Sequence, residues 1–319
     1  MKSRFIVILA IVVLFTAGCE MNSGNTEQNF NTPRIVLITP HADNRYWDLI
    51  AKGIESGADK YGFSFEKKEP LLNCDNIDEQ VKMVEKAIEA KADAIIIKGN
   101  SDSELLKVLE KARDRGIVVT LVDSDISNFQ RDFYVGTDNF EAGEQLAKII
   151  ISEVGLDANI AIITAEDTSQ NLQQRLDGFE SICDQYHGVL ITHVFDDQWS
   201  SAQAIRQMGI IINQYLEVNV IVSLEGYGTL SMNNYIKEKG ETKLYLYGFD
   251  YDSEHYYENV KEKNFTGIMT QQPYQMGECC AENLYNIWEG KEVENNSFHI
   301  PTVFINSLNV DSFSEEGVQ

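Results

Sequence analysis

Ala94-Ile95-Ile96-Ile97-Lys98, following the amphipathic run Asp75–Ala90, carries the two patterns on which the fold turns. In the run, Ile77, Val81, Val84 and Ile88 fall at steps of four, three and four, so one helical face holds all of them. The strand after it is apolar at every position up to Lys98, which fits a parallel sheet covered by helices on both faces. The alternation continues outward in both directions. Arg34–Thr39, Phe63–Lys68 and Ile117–Val122 read as further strands. Leu105, Leu109 and Ala112 stripe a helix that Ser101 and Glu104 open as a capping box. A second round has strands near Asn159–Thr164, Val189–Phe195, Val220–Ser223 and Leu244–Gly248. Its helices begin near Asn139, Gln170, Ser200, Gly228 and Ser253. Ser200 and Gln203 repeat the capping pattern ahead of an Ala204, Met208, Ile211, Tyr215 stripe. The expected class is α/β, with two doubly wound parallel-sheet lobes, and 319 residues suit two domains of ordinary size.

Lobes of this kind bind ligands outside the carboxyl ends of their strands, so candidate residues are sought there. Asp43-Asn44-Arg45-Tyr46-Trp47 follows the first strand. Its rings suit the C–H faces of a sugar, and Asn44 both donates and accepts; Trp47 also reads as the first core residue of a helix. Asp123-Ser124-Asp125 and Gly248-Phe249-Asp250 put carboxylates at strand ends, where each accepts from neighbouring hydroxyls. No His or further carboxylate completes a metal shell beside Asp123 and Asp125. Glu225-Gly226-Tyr227-Gly228 lies between strand and helix; Gly226-x-Gly228-x-x-Ser231 lacks the third glycine of a dinucleotide fingerprint and reads as a bend over a pocket.

The N-terminus points to export. Lys2 and Arg4 precede the apolar run Phe5–Ala17, too short for a spanning helix but suited to a signal peptide. Thr16-Ala17-Gly18-Cys19 resembles a lipobox, so residues 1–19 are expected to be a lipoprotein signal with Cys19 lipidated, holding the protein on a membrane face without spanning it. Residues 20–32 are polar and read as a flexible tether. Cys74, Cys183, Cys279 and Cys280 show no metal-ligand spacing and read as small buried residues, with a disulfide from Cys74 left open.

Against 26 Lys+Arg stand 50 Asp+Glu, a formal charge of -24, which repels nucleic acid. His41, His187, His193, His255 and His299 are scattered, and no H-E-x-x-H, G-x-S-x-G or P-loop motif occurs, so neither catalysis nor a cofactor is expected.

Together these motifs resemble the ribose/galactose class of type I periplasmic binding proteins, from about Arg34 to about Asn309. The markers include Asn44 with its two aromatics, Asp123, Val135-Gly136-Thr137-Asp138-Asn139-x-x-x-Gly143, Arg175-x-x-Gly178-Phe179, Gly248-Phe249-Asp250 and Gln271-Gln272-Pro273-Tyr274-x-Met276-Gly277. The resemblance implies a first lobe of residues 33–137 plus 271–296, a second of 138–270 plus 297–319, and a three-strand hinge. It implies a ligand held by Asn44, Tyr46, Trp47 and Asp123 from one lobe, Gln173, Glu225 and Asp250 from the other, and Gln271 at the hinge. His41, Arg45, Ser124, Asp125 and Trp199 lie beside them. Where ribose binders carry two arginines, this chain has Ser124 and Gln173, and Glu225 replaces a usual Asn. Carboxylates without cations would favour an amine-bearing solute such as an amino sugar, whereas Arg45 could restore a neutral sugar. The implied function is capture of a sugar or related small polar solute by a monomer and its presentation to an ABC permease, with a sensor-kinase ectodomain as the other partner and an amine-bearing solute as the other ligand.

Overall fold

The computed structural model describes residues 32–42, 44–71, 76–165, 170–239, 243–250, 255–293 and 296–313. Residues 1–31, including Cys19 and nearly all of the expected tether, lie outside that description, as do Asp43, Cys74 and Ser253.

In the first sheet, β1 (Arg34–Ile38), β2 (Ser64–Lys68), β3 (Ala94–Lys98), β4 (Val118–Asp123), β5 (Phe133–Gly136) and β11 (Ser297–His299) run in the order β11-β5-β4-β3-β1-β2, every neighbour parallel. The apolar run of β3 is explained by its two covered faces. Ile95 and Ile97 pack on α2 (Ile77–Glu89) and α3 (Ser103–Asp114), while Ala94 and Ile96 join the core of α1 (Arg45–Tyr61) and α9 (Pro273–Trp288). Each such isoleucine removed from water contributes about 1.5–3 kcal/mol. The helix opening expected at Ser101 moves by one residue. Asp102 is the cap, accepting from the N–H groups of Glu104 and Leu105, because a carboxylate adjoining the first turn reaches both.

The second sheet repeats the winding in the order β12-β10-β9-β8-β6-β7. Its strands are β6 (Asn159–Thr164), β7 (Leu190–Asp196), β8 (Val220–Ser223), β9 (Tyr245–Phe249), β10 (Gly267–Thr270) and β12 (Val303–Asn306), the last antiparallel to β10. One face is covered by α4 (Asn139–Val154) and α5 (Gln170–Cys183). The other is covered by α6 (Ser201–Gln214), α7 (Gly226–Lys239) and α8 (His255–Lys261). Ser200 caps α6 through the N–H of Gln203, as its sequence pattern anticipates.

Both sheets belong to one contact unit, Thr32–Gln319. The chain leaves the first sheet after β5, returns after β10 through Gln271-Gln272, and leaves again after β11. Ser297–His299, expected with the second lobe, is therefore the outer strand of the first: its ladder with Tyr134–Gly136 holds it there.

Each lobe also contains a backbone-to-backbone helix crossing. A Cβ on Gly53 would run into the carbonyl of Tyr274, and one on Gly277 into that of Ile50, where α1 meets α9. Gly143 and Gly178 meet the carbonyls of Arg175 and Phe140 in the same reciprocal way, where α4 meets α5. Cys183 and Cys280 are buried and Cys279 is half-buried, all three as free thiols.

Candidate functional site

β4 and β9 hold corresponding places in the two sheets, and each delivers an aspartate in the left-handed region, Asp123 at φ 70 and Asp250 at φ 64. Only a few per cent of non-glycine residues adopt this conformation, with Asp among the more tolerant. Between them lies a cavity of about 160 Å³, lined from the first lobe by the loop and first turn of α1, by Lys98 and by the end of β4. The second lobe contributes Asn171, Leu172 and Arg175 of α5, Trp199, Leu230, the Glu225–Tyr227 turn and Asp250. Gln271 joins from the crossing segment.

On the first-lobe side, Tyr46 donates its hydroxyl to Asp123 Oδ1 at 2.8 Å, and Ser124 Oγ donates to Oδ2 at 3.2 Å. Burial pushes the Tyr46 phenol well up, with Asp123 and Asp250 adding to the shift, so it stays a neutral donor. Asn44 spends its carbonyl oxygen capping α1, accepting from Tyr46 N and Trp47 N, which leaves its NH₂ donors for a ligand. Trp47 is both things its position suggested: it lines the cavity, yet is only 4% exposed and packs in the first-lobe core.

On the second-lobe side, Gln271 Nε2 donates to Asp250 Oδ1 at 2.6 Å, while its Oε1 accepts from Thr137 at 2.8 Å, tying two crossing segments to the site. Arg175 is buried. Its guanidinium stands 3.7 Å from Asp250, donates to Asn139 Oδ1 at 2.7 Å and to Leu224 O, and covers the Phe249 ring. Burial lowers its pKa and the Asp250 carboxylate opposes that shift. Trp199 and Tyr227, both 42% exposed, meet edge to face at 5.9 Å. Glu225 turns its carboxyl inward, accepting from the N–H groups of Tyr227 and Gly228, which explains the glycine-bearing bend as a helix start.

Of the sequence candidates, Asn44, Tyr46, Trp47, Asp123, Glu225, Asp250 and Gln271 are brought together, with His41, Ser124 and Trp199. Gln173 is not among them. It faces away and donates to Asp177 at 2.7 Å, on the exposed side of α5. Arg45 does not line the cavity either, and Asp125 is held by Arg131 at 2.6 Å. The expectation of carboxylates without cations is overturned: Arg175 faces Asp250, and Lys98 lines the same space. Lys98, Asn171, Arg175 and Tyr227 were missed as site residues. Lys98 ends a strand, so the strand-end rule applied more widely finds it, whereas Asn171 and Arg175 lie one helical turn apart at the start of α5, outside that rule's reach. Among the described residues no group of three His, Cys, Asp or Glu is arranged to hold a metal, and no helix is long and apolar enough to cross a membrane.

The comparisons agree with this architecture. A family model described as "Periplasmic binding protein domain" matches residues 35–292. The ribose import binding protein RbsB of Bacillus subtilis (strain 168) is 23% identical over 304 residues, covering 92% of this chain and 96% of the relative. The crystal structure of GanP, a glucose-galactose binding protein from Geobacillus stearothermophilus, superposes with a TM-score of 0.78 at 28% identity, over 87% of this chain and 98% of that one. A XylFII–LytSN complex contains a chain similar in fold, at TM-score 0.75 and 24% identity over 87% of this chain and 98% of that one. With its two parallel-sheet lobes, its cavity at their strand ends and a family match spanning most of its length, the chain belongs to the periplasmic binding proteins, which bind solutes and do not transform them.

Proposed function

We propose that this protein captures a neutral monosaccharide between its lobes outside the cytoplasm, tethered through lipid on Cys19, and presents it as a monomer to an ABC importer. The single observation that carries the reading is the composition of the cavity. Aromatic groups come from both lobes, as Tyr46 and Trp47 on one side and Trp199 and Tyr227 on the other, with carboxylates set between them. Apolar ring faces cover sugar C–H surfaces, and carboxylates accept from paired hydroxyls. A cavity of about 160 Å³ suits one small sugar. The guanidinium of Arg175 beside Asp250 supports a neutral solute over an amine-bearing one, since the carboxylate already has a cation. Asn44, Tyr46, Trp47, Asp123, Glu225, Asp250 and Gln271 are the proposed ligand-binding residues, with Lys98, Asn171 and Arg175 added.

A thermal-shift panel of pentoses, hexoses, polyols and amino sugars tests this. A sugar at one hundred times its Kd stabilises the folded form by about 2.7 kcal/mol and raises Tm. Neutral sugars giving no shift while amino sugars give one would overturn the proposal. A second reading, delivery of the closed form to a sensor-kinase ectodomain, is favoured by the likeness to the XylFII chain of the XylFII–LytSN complex. Coprecipitation with permease or kinase ectodomain separates the two.

A further inference from the structure

Asp197 and Glu225 lie behind the aromatic wall of the second lobe and are 0% and 1% exposed. Each secures one ring of that wall through the main chain. Asp197 Oδ1 accepts from Trp199 N at 3.0 Å, and Glu225 Oε2 accepts from Tyr227 N at 2.5 Å. The turn bearing Trp199 is strained, with Gln198 and Trp199 both at φ 55, and a consecutive left-handed pair persists only where its surroundings hold it. Asp197 Oδ2 is buried, and no N–H or hydroxyl among the described residues reaches it. Its hydrogen-bonding neighbour is the Glu225 carboxyl, and two carboxyl groups bond to each other only when one of them carries a proton.

We infer that one proton shared between Asp197 and Glu225 locks the Trp199 turn to the Tyr227 turn, so that its loss loosens the ligand-facing aromatic wall and weakens solute capture. Asp197 is thus a positioning residue. Only the consequence for capture rests on the proposed function; the lock needs no ligand.

The charged groups around the pair set the sign. Asp196 adds negative charge from β7, while Arg175 of α5 and Asp250, which lies against Gly226, face Glu225 from the cavity side. Lys98 and His41 line the same cavity from the first lobe. Burial, reinforced by the neighbouring Asp197, holds the Glu225 carboxyl well above its usual range; burial also raises Asp197, opposed by the hydrogen bond from Glu225. A carboxyl raised in the folded state keeps its proton where the unfolded chain has released it. The stabilisation is therefore complete below the unfolded value of about 4.3 and is lost as pH rises through the folded value.

The test uses the full ligand-free protein with ¹⁵N-labelled indoles, the Trp199 signal being assigned by Trp199→Phe. Between about pH 5 and about pH 9.5 the Trp199 signal moves through one inflection above the usual carboxylate range, while that of Trp288, in the first-lobe core, stays still. In Asp197→Asn the inflection disappears, because the amide donates to an ionised Glu225 and still accepts from Trp199 N. A motionless Trp199 signal in the parent protein, or the same inflection in Asp197→Asn, overturns the inference. Should that variant not fold, carboxyl ¹³C titration of the parent protein decides: one carboxyl of the pair keeps its proton above the usual carboxylate range, and two ionisations both below about pH 5 overturn the lock. In the binding arm, affinity for D-galactose, D-ribose or D-arabinose falls about tenfold over the same range in the parent and less than about twofold in Asp197→Asn. If none of these sugars binds, the proposed function fails while the indole titration still decides the lock.

Discussion

Arg175 Nη1 stands 3.7 Å from Asp250 Oδ2, and the same guanidinium lies 3.5 Å from the ring centroid of Phe249, the residue before that aspartate. One buried cation thus serves a carboxylate, a ring and, through its other bonds, Asn139 and Leu224. The positive charge the site needs is carried on a helix, at a position where no strand-end inspection looks.

Replacing Arg175 by Met deprives Asp250 of its cation and leaves two acceptors without their donor. The expected cost is about 3 kcal/mol of folding stability, read from urea denaturation. Arg175→Lys recovers little, since an ammonium cannot reach both acceptors while stacking on a ring. A loss below about 1 kcal/mol in the Met variant would show that the guanidinium is not structural.

Tyr46→Phe removes the 2.8 Å hydrogen bond to Asp123 and nothing else of comparable strength. A hydrogen bond to a carboxylate counts for about 1.5–3 kcal/mol, and solute affinity is expected to drop by that much, measured calorimetrically with the sugar giving the largest thermal shift. Unchanged affinity would remove the Tyr46–Asp123 pair from the binding geometry.

Asn171 reaches across the cleft. Its Nδ2 donates to Asp123 O at 3.1 Å and to Ser124 Oγ at 2.9 Å, and Ser127 Oγ, one loop on, donates to Gln170 at 3.0 Å. Asn171→Ala should shift the ligand-free protein towards more open forms, each lost bond counting about 1 kcal/mol. The ligand-free radius of gyration then rises in X-ray scattering, while the sugar-bound value matches the parent. Identical ligand-free curves would rule out a cross-cleft tie.

The thiols make a separate test. Burial pushes Cys183 up to about 12 and Cys279 up to about 11, and raises buried Cys280 as well. At pH 8 a thiol at 11 is thiolate to only about one part in a thousand, so native protein treated with iodoacetamide leaves these three cysteines unmodified by mass spectrometry. Heating above Tm exposes them. Rapid native labelling at Cys183 would contradict its burial.

How much was legible follows from what each residue's placement depends on. The winding of both lobes was readable because helical and strand periods alternate cleanly, and the unbroken apolar run of β3 announces two covered faces. Asp123 and Asp250 were readable because a strand's end fixes where its last side chain goes. Gln173 was misplaced and Arg175 passed over for one reason: on a helix, two residues' distance turns a side chain through about 200°, so α5 presents Asn171 and Arg175 to the cavity and Gln173 to water. The orientation of α5 depends on the glycine crossing with α4, a tertiary fact. Asp197 was invisible for a similar reason, since it sits one residue past β7 and meets Glu225 only through the pairing of β6 with both β7 and β8.

The four reciprocal glycines have a mechanical consequence. In each lobe they join a helix bearing cavity residues, α1 or α5, to a helix that starts at a crossing segment, α9 or α4. At the four glycines backbone meets backbone, with no side chain between to change rotamer and absorb displacement. Force exerted by a solute on Tyr46 or Arg175 therefore passes undamped along stiff struts to the Gln271–Gln272 and Thr137–Asp138 joints. Each half turns as one lever, and a methyl group added at any of these four positions would loosen the linkage without touching the solute.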